Sequence, residues 1–300
     1  MITKLYPNKN LKIFVFLLII HCKNPGILDL INELDTIEWN LVWHDEFNGE
    51  GEVDLAKWDK PEYNRRNNNK GKDGWWLKEN SYQDGNGNLV IKASKIDNRN
   101  SDNDAHDYAT GAVRSKNKFE QKYGKFEVRC RLPTQPGWWV AFWLMSESVG
   151  NVDSSGEDGT EIDIMEGFGW TDRINQALHW DGYGDDHKSV SHSLVIEGIR
   201  NEYHHFSLEW NEKEYVFFVD GIEIWRTNAG GVSKVPAYIK LTGELSTESW
   251  AIGDWWSKDP SIGKFPDYFL IDYVRVWIKI QDRSQNRSSQ QRKAKCSAFK

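Results

Sequence analysis

Short strand-like segments alternate with tight turns from about residue 39 to residue 279, and this region has no long stretch of helical periodicity. Residues 124–132 alternate apolar and polar side chains, as a half-buried strand does. Residues 137–145 form a continuous apolar run, which is typical of a strand buried on both faces. Asp220-Gly221 is one of the tight-turn signals between such segments. Strands this numerous and evenly spaced predict an all-β fold, a sandwich of two antiparallel sheets.

The composition fits one large β domain and excludes several classes of function. The chain has 300 residues, with 16 Trp, 11 Tyr and 13 Phe, and its formal net charge is -7. Because a nucleic-acid binder needs a basic face, this charge argues against a nucleic-acid partner. The sequence also lacks a glycine-rich phosphate loop, a CxxC pair and an HExxH zinc helix. Three cysteines are too few for a disulfide framework, and Cys130, which alternates with apolar residues, is predicted to be buried.

Residues 1–22 have the pattern of an export signal, because three lysines precede the apolar run 13–20. That run is too short to cross a bilayer as a helix of the mature protein. Cys22 directly after it indicates lipid attachment, as in a bacterial lipoprotein. His21 stands where a small residue is usual, which leaves ordinary cleavage as the alternative. Either way, we expect the mature protein to lie outside the cytoplasm.

The rest of the chain divides into three parts. Residues 23–36 are predicted to be a linker, and residues 37–280 a single folded domain. Residues 281–300 are polar, basic and without periodicity, which predicts a disordered tail. The expected oligomeric state is a monomer.

The segment Glu161-Ile162-Asp163-Ile164-Met165-Glu166 places three carboxylates in a strongly apolar, strand-like run. Acidic side chains are rarely buried. Strand residues alternate faces, so Glu161 and Asp163 point to one side, and strict alternation would put Met165 beside them. One extra residue at Ile164-Met165, a β-bulge, brings Glu166 back to the acidic face. The sequence therefore predicts a bulged strand with all three acids on one face.

Such a group of acids points to cleavage of a glycosidic bond. Three like charges this close repel one another, so at least one should stay protonated near neutral pH. A protonated acid beside an ionised one is what retaining glycoside hydrolysis requires. Two strand steps and a bulge can supply the separation of about 5–5.5 Å between the carboxyl groups of a retaining pair. A solvated strand face and a calcium site are the alternatives, but calcium prefers ligands spread around a flexible loop.

The chain resembles glycoside hydrolase family 16, the jelly-roll endo-glycanases that include laminarinases, lichenases, agarases and porphyranases. The resemblance covers roughly residues 39 to 279 and rests on the acidic motif together with four flanking blocks in the right order. The blocks are Trp43-His44-Asp45-Glu46-Phe47, Tyr123-Gly124-Lys125-Phe126-Glu127-Val128-Arg129, Trp139-Val140-Ala141-Phe142-Trp143-Leu144 and Asp272-Tyr273-Val274-Arg275-Val276-Trp277. It implies a jelly-roll sandwich with a concave substrate cleft.

The resemblance also implies roles for the three acids. Glu161 would be the nucleophile that forms the glycosyl-enzyme. Glu166 would protonate the leaving oxygen and then activate water. Asp163 would hold Glu161 through a shared proton and help to keep the other two acids in opposite protonation states.

Aromatic residues and one histidine are the candidates for substrate binding, because sugar rings offer apolar faces. Trp139 matches the family's tryptophan beside the catalytic strand, and His179 matches a histidine near the reacting sugar. Any single tryptophan in a large sandwich can instead belong to the core, and a lone histidine is more often structural. The full candidate set is Trp139, Trp143, His179, Trp180, Trp76 and Trp255.

No cofactor is required for this chemistry, but the resemblance implies a structural calcium ion on the convex face. Glu46, the Gly49 carbonyl and Asp272 are the candidate ligands, and ordinary exposed acids are the alternative interpretation. Calcium there would stabilise the fold and take no part in the reaction.

The predicted substrate is a β-linked polysaccharide, with a β-1,3- or mixed β-1,3/1,4-glucan favoured. Two departures from typical laminarinases leave a red-algal galactan (agar, porphyran or carrageenan type) as the alternative. Val140 replaces the usual proline, and residues 65–76 form a basic, Asn-rich stretch that would suit an anionic glycan. Transglycosylation is a related reaction, because a sugar hydroxyl can replace water on the same intermediate. The alternative to an enzyme is a non-catalytic carbohydrate-binding lectin on the same fold. Such proteins typically lose one or more of the acids.

Overall fold

In a computed structural model, residues 39–65, 71–96, 106–245 and 258–280 are described. The predictions for residues 1–36, Trp255 and the tail lie outside these ranges. The strands are β1 (Trp39–Asp45), β2 (Glu50–Gly51), β3 (Tyr63–Asn64), β4 (Gly71–Trp76), β5 (Ser81–Asp84), β6 (Leu89–Lys95), β7 (His106–Thr110), β8 (Ala112–Arg114), β9 (Glu120–Gln121), β10 (Gly124–Arg131), β11 (Trp138–Met145), β12 (Glu161–Phe168), β13 (Arg173–Trp180), β14 (Lys188–Val195), β15 (His204–Trp210), β16 (Tyr215–Val219), β17 (Ile222–Thr227), β18 (Ala237–Leu245) and β19 (Asp267–Lys279). Two single-turn 3-10 helices span Lys78–Asn80 and Pro260–Ile262. Within the described ranges, no helix is long and apolar enough to cross a membrane.

The strands form two sheets, as the sequence predicts. The first has the order β17-β16-β15-β10-β19-β6-β7-β4-β3, with β1 on β19 and the pair β2–β5 on β6. The second has the order β14-β13-β12-β11-β18-β8, with β9 on β18. The pairs are antiparallel, except that β4 runs parallel to β7.

The core lies between the sheets, and strand alternation fills it. Phe126, Val128 and Cys130 of β10 are each fully buried, whereas the residues between them are partly exposed. The predicted burial of Cys130 is therefore confirmed. From the second sheet, β11 turns Trp138 and Phe142 into the same core and leaves its other face for the site described below.

The predicted bulge in β12 is confirmed by the pairing of its neighbours. Against β13, Asp163 is opposite Ala177 and Glu166 is opposite Asn175, so Ile164 and Met165 face the single residue between these partners. The same shift occurs against β11. Because of this extra residue, Glu166 returns to the face that carries Glu161 and Asp163.

Gly124, at the start of β10, should tolerate no side chain. Its φ is +130°, and a Cβ placed there would come 2.3 Å from the Trp277 carbonyl oxygen. We expect Gly124→Ala to lower the free energy of unfolding by about 2–4 kcal/mol, through backbone strain and displacement of β19. Denaturant unfolding measures this loss. Gly150→Ala is the matched control, because a Cβ at Gly150 meets no atom within 4 Å. Equal stabilities of the two variants would contradict the prediction.

Candidate active site

One face of the second sheet collects the acidic motif and its neighbours in cross-strand rows. In the strand register, Glu161 is opposite His179 of β13. Glu166 is opposite Asn175, which lies four residues before His179 on the same face of β13. On the other side, Trp143 of β11 lies between Asp163 and Lys240 of β18. Residues directly opposite each other on one face are close enough to interact. The cross-strand rows therefore bring His179 of β13 and Lys240 of β18 to the face that carries the acids of β12.

Glu166 lies buried on this face, held by two hydrogen bonds. Trp139 donates its Nε1–H to Oε1 at 3.0 Å, and Asn175 donates its Nδ2–H to Oε2. Ser193 fixes the orientation of the Asn175 amide, since its hydroxyl donates to Oδ1 at 2.7 Å. Burial and the charge of Asp163 raise the pKa of Glu166 to about 8, against the Asn175 hydrogen bond and the charge of His179, which lower it. Glu166 is therefore protonated at neutral pH, as a general acid must be.

Glu161 is partly buried at the start of β12, where the Tyr183 hydroxyl donates a hydrogen bond to its Oε2. Burial and the negative charge of Asp163 raise the pKa of Glu161 to about 7. His179, Tyr183 and Lys240 oppose that rise. These three groups favour the ionised form of Glu161, which a nucleophile needs.

Asp163 is paired with His179, and the shared proton with Glu161 stays a prediction. His179 Nε2 lies 3.3 Å from Asp163 Oδ2, and within the described ranges no hydrogen bond joins Asp163 to Glu161. Burial opposes protonation of His179, but the hydrogen bond and charge of Asp163 raise its pKa to about 9. His179 Nδ1 lies 2.9 Å from His187 Nε2. Asp163 therefore meets a cationic imidazole that is held in turn by a second histidine ring.

Ligand atoms of Glu161, Asp163 and His179 all lie within 4.8 Å of one another, which is a spacing that could hold a metal ion. A metal ligand must offer a neutral imidazole nitrogen. With no ion bound, the charge of Asp163 favours the protonated form of His179 instead. The three groups therefore form an ion-pair cluster.

Of the predicted tryptophans, Trp139 meets the acids directly, through its hydrogen bond to Glu166. Trp143 lies on the same face, but the Lys240 ammonium stands 3.5 Å from its ring centroid. Its Nε1–H donates to Thr242 Oγ1 at 3.1 Å. Trp143 is only 6% exposed, and Lys240 covers one face of its ring, so this face is not open to a sugar.

Two further predicted platforms are core residues. Trp180 follows His179 along β13, and alternation turns it to the opposite face, where it joins the core cluster and packs against Gly230. Trp76 is 1% exposed, and its Nε1–H donates to the Gly243 carbonyl at 2.8 Å. Neither ring has a face free for a sugar, so both substrate-binding predictions are wrong.

The predicted calcium ligands do not form a ligand set. Glu46 accepts two hydrogen bonds from Arg275, at 2.9 and 2.7 Å, and Asp272 is paired with Arg129. The Gly49 carbonyl accepts the Gly85 N–H at 3.2 Å. Because both carboxylates are neutralised by arginines, these residues do not fit a calcium ion, which needs free oxygen ligands.

Comparisons with known proteins agree with this geometry. Residues 70–274 match the family model described as glycosyl hydrolases family 16. The chain belongs to glycosyl hydrolases family 16. It is therefore a glycoside hydrolase, and its two-sheet fold is the jelly roll of this family.

Relatives within family 16 differ in the substrates that their names carry. A beta-glucanase of Rhodothermus marinus is 27% identical over 80% of this chain and 86% of its own length. A keratan-sulfate endo-1,4-beta-galactosidase of Sphingobacterium multivorum is 28% identical over 81% of this chain, but over only 56% of its own length. The catalytic domain of an endo-1,3-beta-glucanase (laminarinase) from Thermotoga petrophila superimposes with a TM-score of 0.66 at 29% identity. That match covers 82% of this chain and the whole of the other.

The family 16 site contains residues that sequence reasoning missed. Asn175 alternates with His179 along one strand, so the same face could have been assigned from the period of two. Tyr183 stands in a short loop after that strand, where an aromatic hydroxyl has no periodic signal. Lys240 lies in an apolar strand of its own, and a lysine there is unusual enough to be noticed.

The pKa values of the two glutamates predict a bell-shaped pH dependence of kcat/KM. On the acid side, activity should fall as Glu161 becomes protonated, near its pKa of about 7. On the alkaline side, it should fall as Glu166 loses its proton, near its pKa of about 8. The two limbs of the profile give apparent pKa values that belong to the interacting pair of glutamates and not to either residue alone. Because the Asn175 hydrogen bond lowers the pKa of Glu166, Asn175→Ala should move the alkaline limb to higher pH.

A pH–rate profile of the parent and variant measures this shift. Asn88→Ala is the matched control, since Asn88 also donates to a carboxylate, that of Asp84 at 2.9 Å, far from the acids. An alkaline limb that stays in place, or moves to lower pH, in Asn175→Ala would refute the assigned role of that hydrogen bond.

Proposed function

We propose that this protein is a retaining endo-glycosidase that cleaves internal β-glycosidic bonds of a polysaccharide. Glu161 is the nucleophile, Glu166 the acid and base, and Asp163 the assisting carboxylate. One observation carries the proposal: the bulge in β12 brings Glu166 onto the face of Glu161, where burial and the charge of Asp163 raise the pKa of Glu166. A protonated and an ionisable carboxyl on one rigid strand are the parts that a double displacement needs.

In the first step, a Glu161 oxygen attacks the anomeric carbon while Glu166 gives its proton to the departing glycosidic oxygen. The sugar is then held as an ester of Glu161, and the carboxylate of Glu166 is free. In the second step, Glu166 takes a proton from water, the water oxygen attacks the anomeric carbon, and Glu161 leaves as a carboxylate. Configuration is inverted twice and is therefore retained.

The neighbouring groups support these assignments. Trp139 and Asn175 fix both oxygens of Glu166, so its acidic proton is aimed at one place. Tyr183 donates to Glu161 Oε2, which leaves Oε1 for attack. The cationic His179 beside Asp163 limits the negative charge around the two reacting glutamates.

We further propose a β-1,3- or mixed β-1,3/1,4-glucan as the substrate, supported by the names of the Rhodothermus and Thermotoga relatives. A galactan is the second candidate, because the keratan-sulfate relative is named for a β-galactosidase. The test is release of reducing ends from laminarin, lichenan, agarose, porphyran and carrageenan, with NMR of the first-formed anomer. Release of the β-anomer supports the proposal. Early release of the α-anomer, or binding without release, would overturn it, and the latter result fits the lectin alternative.

We propose that the mature protein lies outside the cytoplasm. The support is the lysine-flanked apolar run of residues 13–20, followed by Cys22. Fractionation of cells, with labelling by a radioactive fatty acid, compares the parent with Cys22→Ser. Loss of label in the variant supports a lipid anchor. An unlabelled, extracytoplasmic parent supports ordinary cleavage, and a cytoplasmic parent contradicts export.

A further inference from the structure

Lys240 is a buried lysine on the same face as the catalytic acids. It lies in the middle of β18, opposite Trp143 on one side and Arg114 on the other, and is 8% exposed. Its ammonium stands 3.5 Å from the ring centroid of Trp143 and 5.8 Å from that of Trp76. Lysine is almost never this buried without a partner.

Among the described residues, no oxygen atom accepts a hydrogen bond from the Lys240 ammonium. Across the described parts of the chain, it makes no hydrogen bond and no ion pair, and the aromatic rings are its nearest partners. The two neighbouring arginines, in contrast, each have a carboxylate partner. Arg65 donates to Glu244 at 2.9 Å, and Arg114 donates to Asp59 at 2.6 Å. A cation–π contact offsets only part of what an ammonium loses on leaving water.

A bound ligand can supply the acceptor that the described residues do not. An ammonium has three N–H donors and accepts nothing, so an oxygen-rich ligand suits it. The rows of the sheet place Lys240 two positions from Tyr238, which shares a row with Met145 and Glu161. A sugar unit beside Glu161 would therefore reach the ammonium.

We propose that Lys240 is a substrate-binding residue whose ammonium donates hydrogen bonds to oxygen atoms of the sugar unit beside Glu161. This inference rests on the proposed function and adds a contact that selects the substrate. The oxygens belong to hydroxyl groups or to a sulfate ester, which an ammonium recognises by the same chemistry. Burial lowers the pKa of Lys240 to about 7, so an acceptor brought by the substrate would also favour the charged form.

The test compares Lys240→Met and Lys240→Arg with the parent on laminarin and on porphyran. Methionine keeps the apolar stem over Trp143 and removes the donors, so the fold should be retained, which thermal unfolding verifies. We expect KM to rise about tenfold or more in Lys240→Met, with kcat changed less than about threefold, because a hydrogen bond to a charged group is lost. Lys240→Arg should recover part of the loss. A larger effect on porphyran identifies a sulfate contact, and a larger effect on laminarin identifies hydroxyl contacts.

Lys125→Met is the matched control, since Lys125 also lies over a tryptophan, 5.4 Å from the Trp277 ring centroid on the other sheet. Calorimetry of laminarihexaose and of a porphyran hexasaccharide, in a Glu166→Gln background, measures binding without turnover. An unchanged KM and dissociation constant in Lys240→Met would overturn the inference. It is equally overturned if the acid limb of the pH profile moves at constant KM, since Lys240 would then act on Glu161.

Failure of the proposed function looks different from failure of this inference. A parent that releases reducing ends from none of the polysaccharides contradicts the proposed function, and the dissociation constants then decide the role of Lys240. Weaker binding in Lys240→Met would still support the contact. A parent that binds neither hexasaccharide would contradict it.

Discussion

Replacing Glu161 by glutamine is expected to lower kcat/KM by about four orders of magnitude or more. The amide is nearly the same size and can still accept the Tyr183 hydrogen bond, but it is a very weak nucleophile. Asp163 cannot replace it, because its carboxylate is paired with His179. Reducing-end release from the preferred polysaccharide, followed for long enough to detect the residual rate, measures the loss.

A small external nucleophile tests the role of Glu161 itself. In Glu161→Ala, azide can enter the space of the missing carboxylate and attack the anomeric carbon, provided that Glu166 still protonates the leaving group. The product should be the glycosyl azide of inverted configuration, and an inverted product shows that Glu161 occupies the attacking side. Glu147→Gln is the control, since that exposed acid pairs with Lys116 outside the cluster of three acids. Near-parental activity in Glu161→Gln would remove the nucleophile from this position.

Replacing Glu166 by glutamine is expected to have the second-largest effect, which should depend on the leaving group. General acid–base catalysis contributes about 10²- to 10⁴-fold, so hydrolysis of a polysaccharide should fall by about a thousandfold. Glutamine can still accept the Trp139 Nε1–H but has no acidic proton. An aryl oligoglycoside with an acidic phenol needs little protonation, so its glycosylation step should be nearly as fast as in the parent.

Burst kinetics with that aryl substrate separate the two steps. Deglycosylation also needs Glu166, as a base for water, so the glycosyl-enzyme should accumulate on Glu161 and be detectable by mass spectrometry. The alkaline limb of the pH profile should disappear, because the group with a pKa of about 8 is gone. An equal loss on both substrates, without an accumulated intermediate, would show that Glu166 acts only in binding or folding.

The fold class and the face on which the acids lie follow from local sequence patterns. Alternation is a local property of an extended chain. The buried positions of β10, Cys130 among them, can therefore be assigned from the sequence without knowing which residues cover them. The bulge could be read for a related reason. Glu161, Asp163 and Glu166 share a face only if one extra residue stands between Asp163 and Glu166, and that residue is present.

The partners that these residues meet follow from contacts between strands that are distant in the chain. Asp163 pairs with His179, and Glu46 and Asp272 pair with arginines. Trp143 does lie on the sheet face that carries the acids, but Lys240, from a strand far along the chain, covers its ring. Such contacts depend on the register of strands that are distant in sequence. Periodicity sets which side of a strand a residue faces, whereas the packing of the whole sheet sets what stands opposite it.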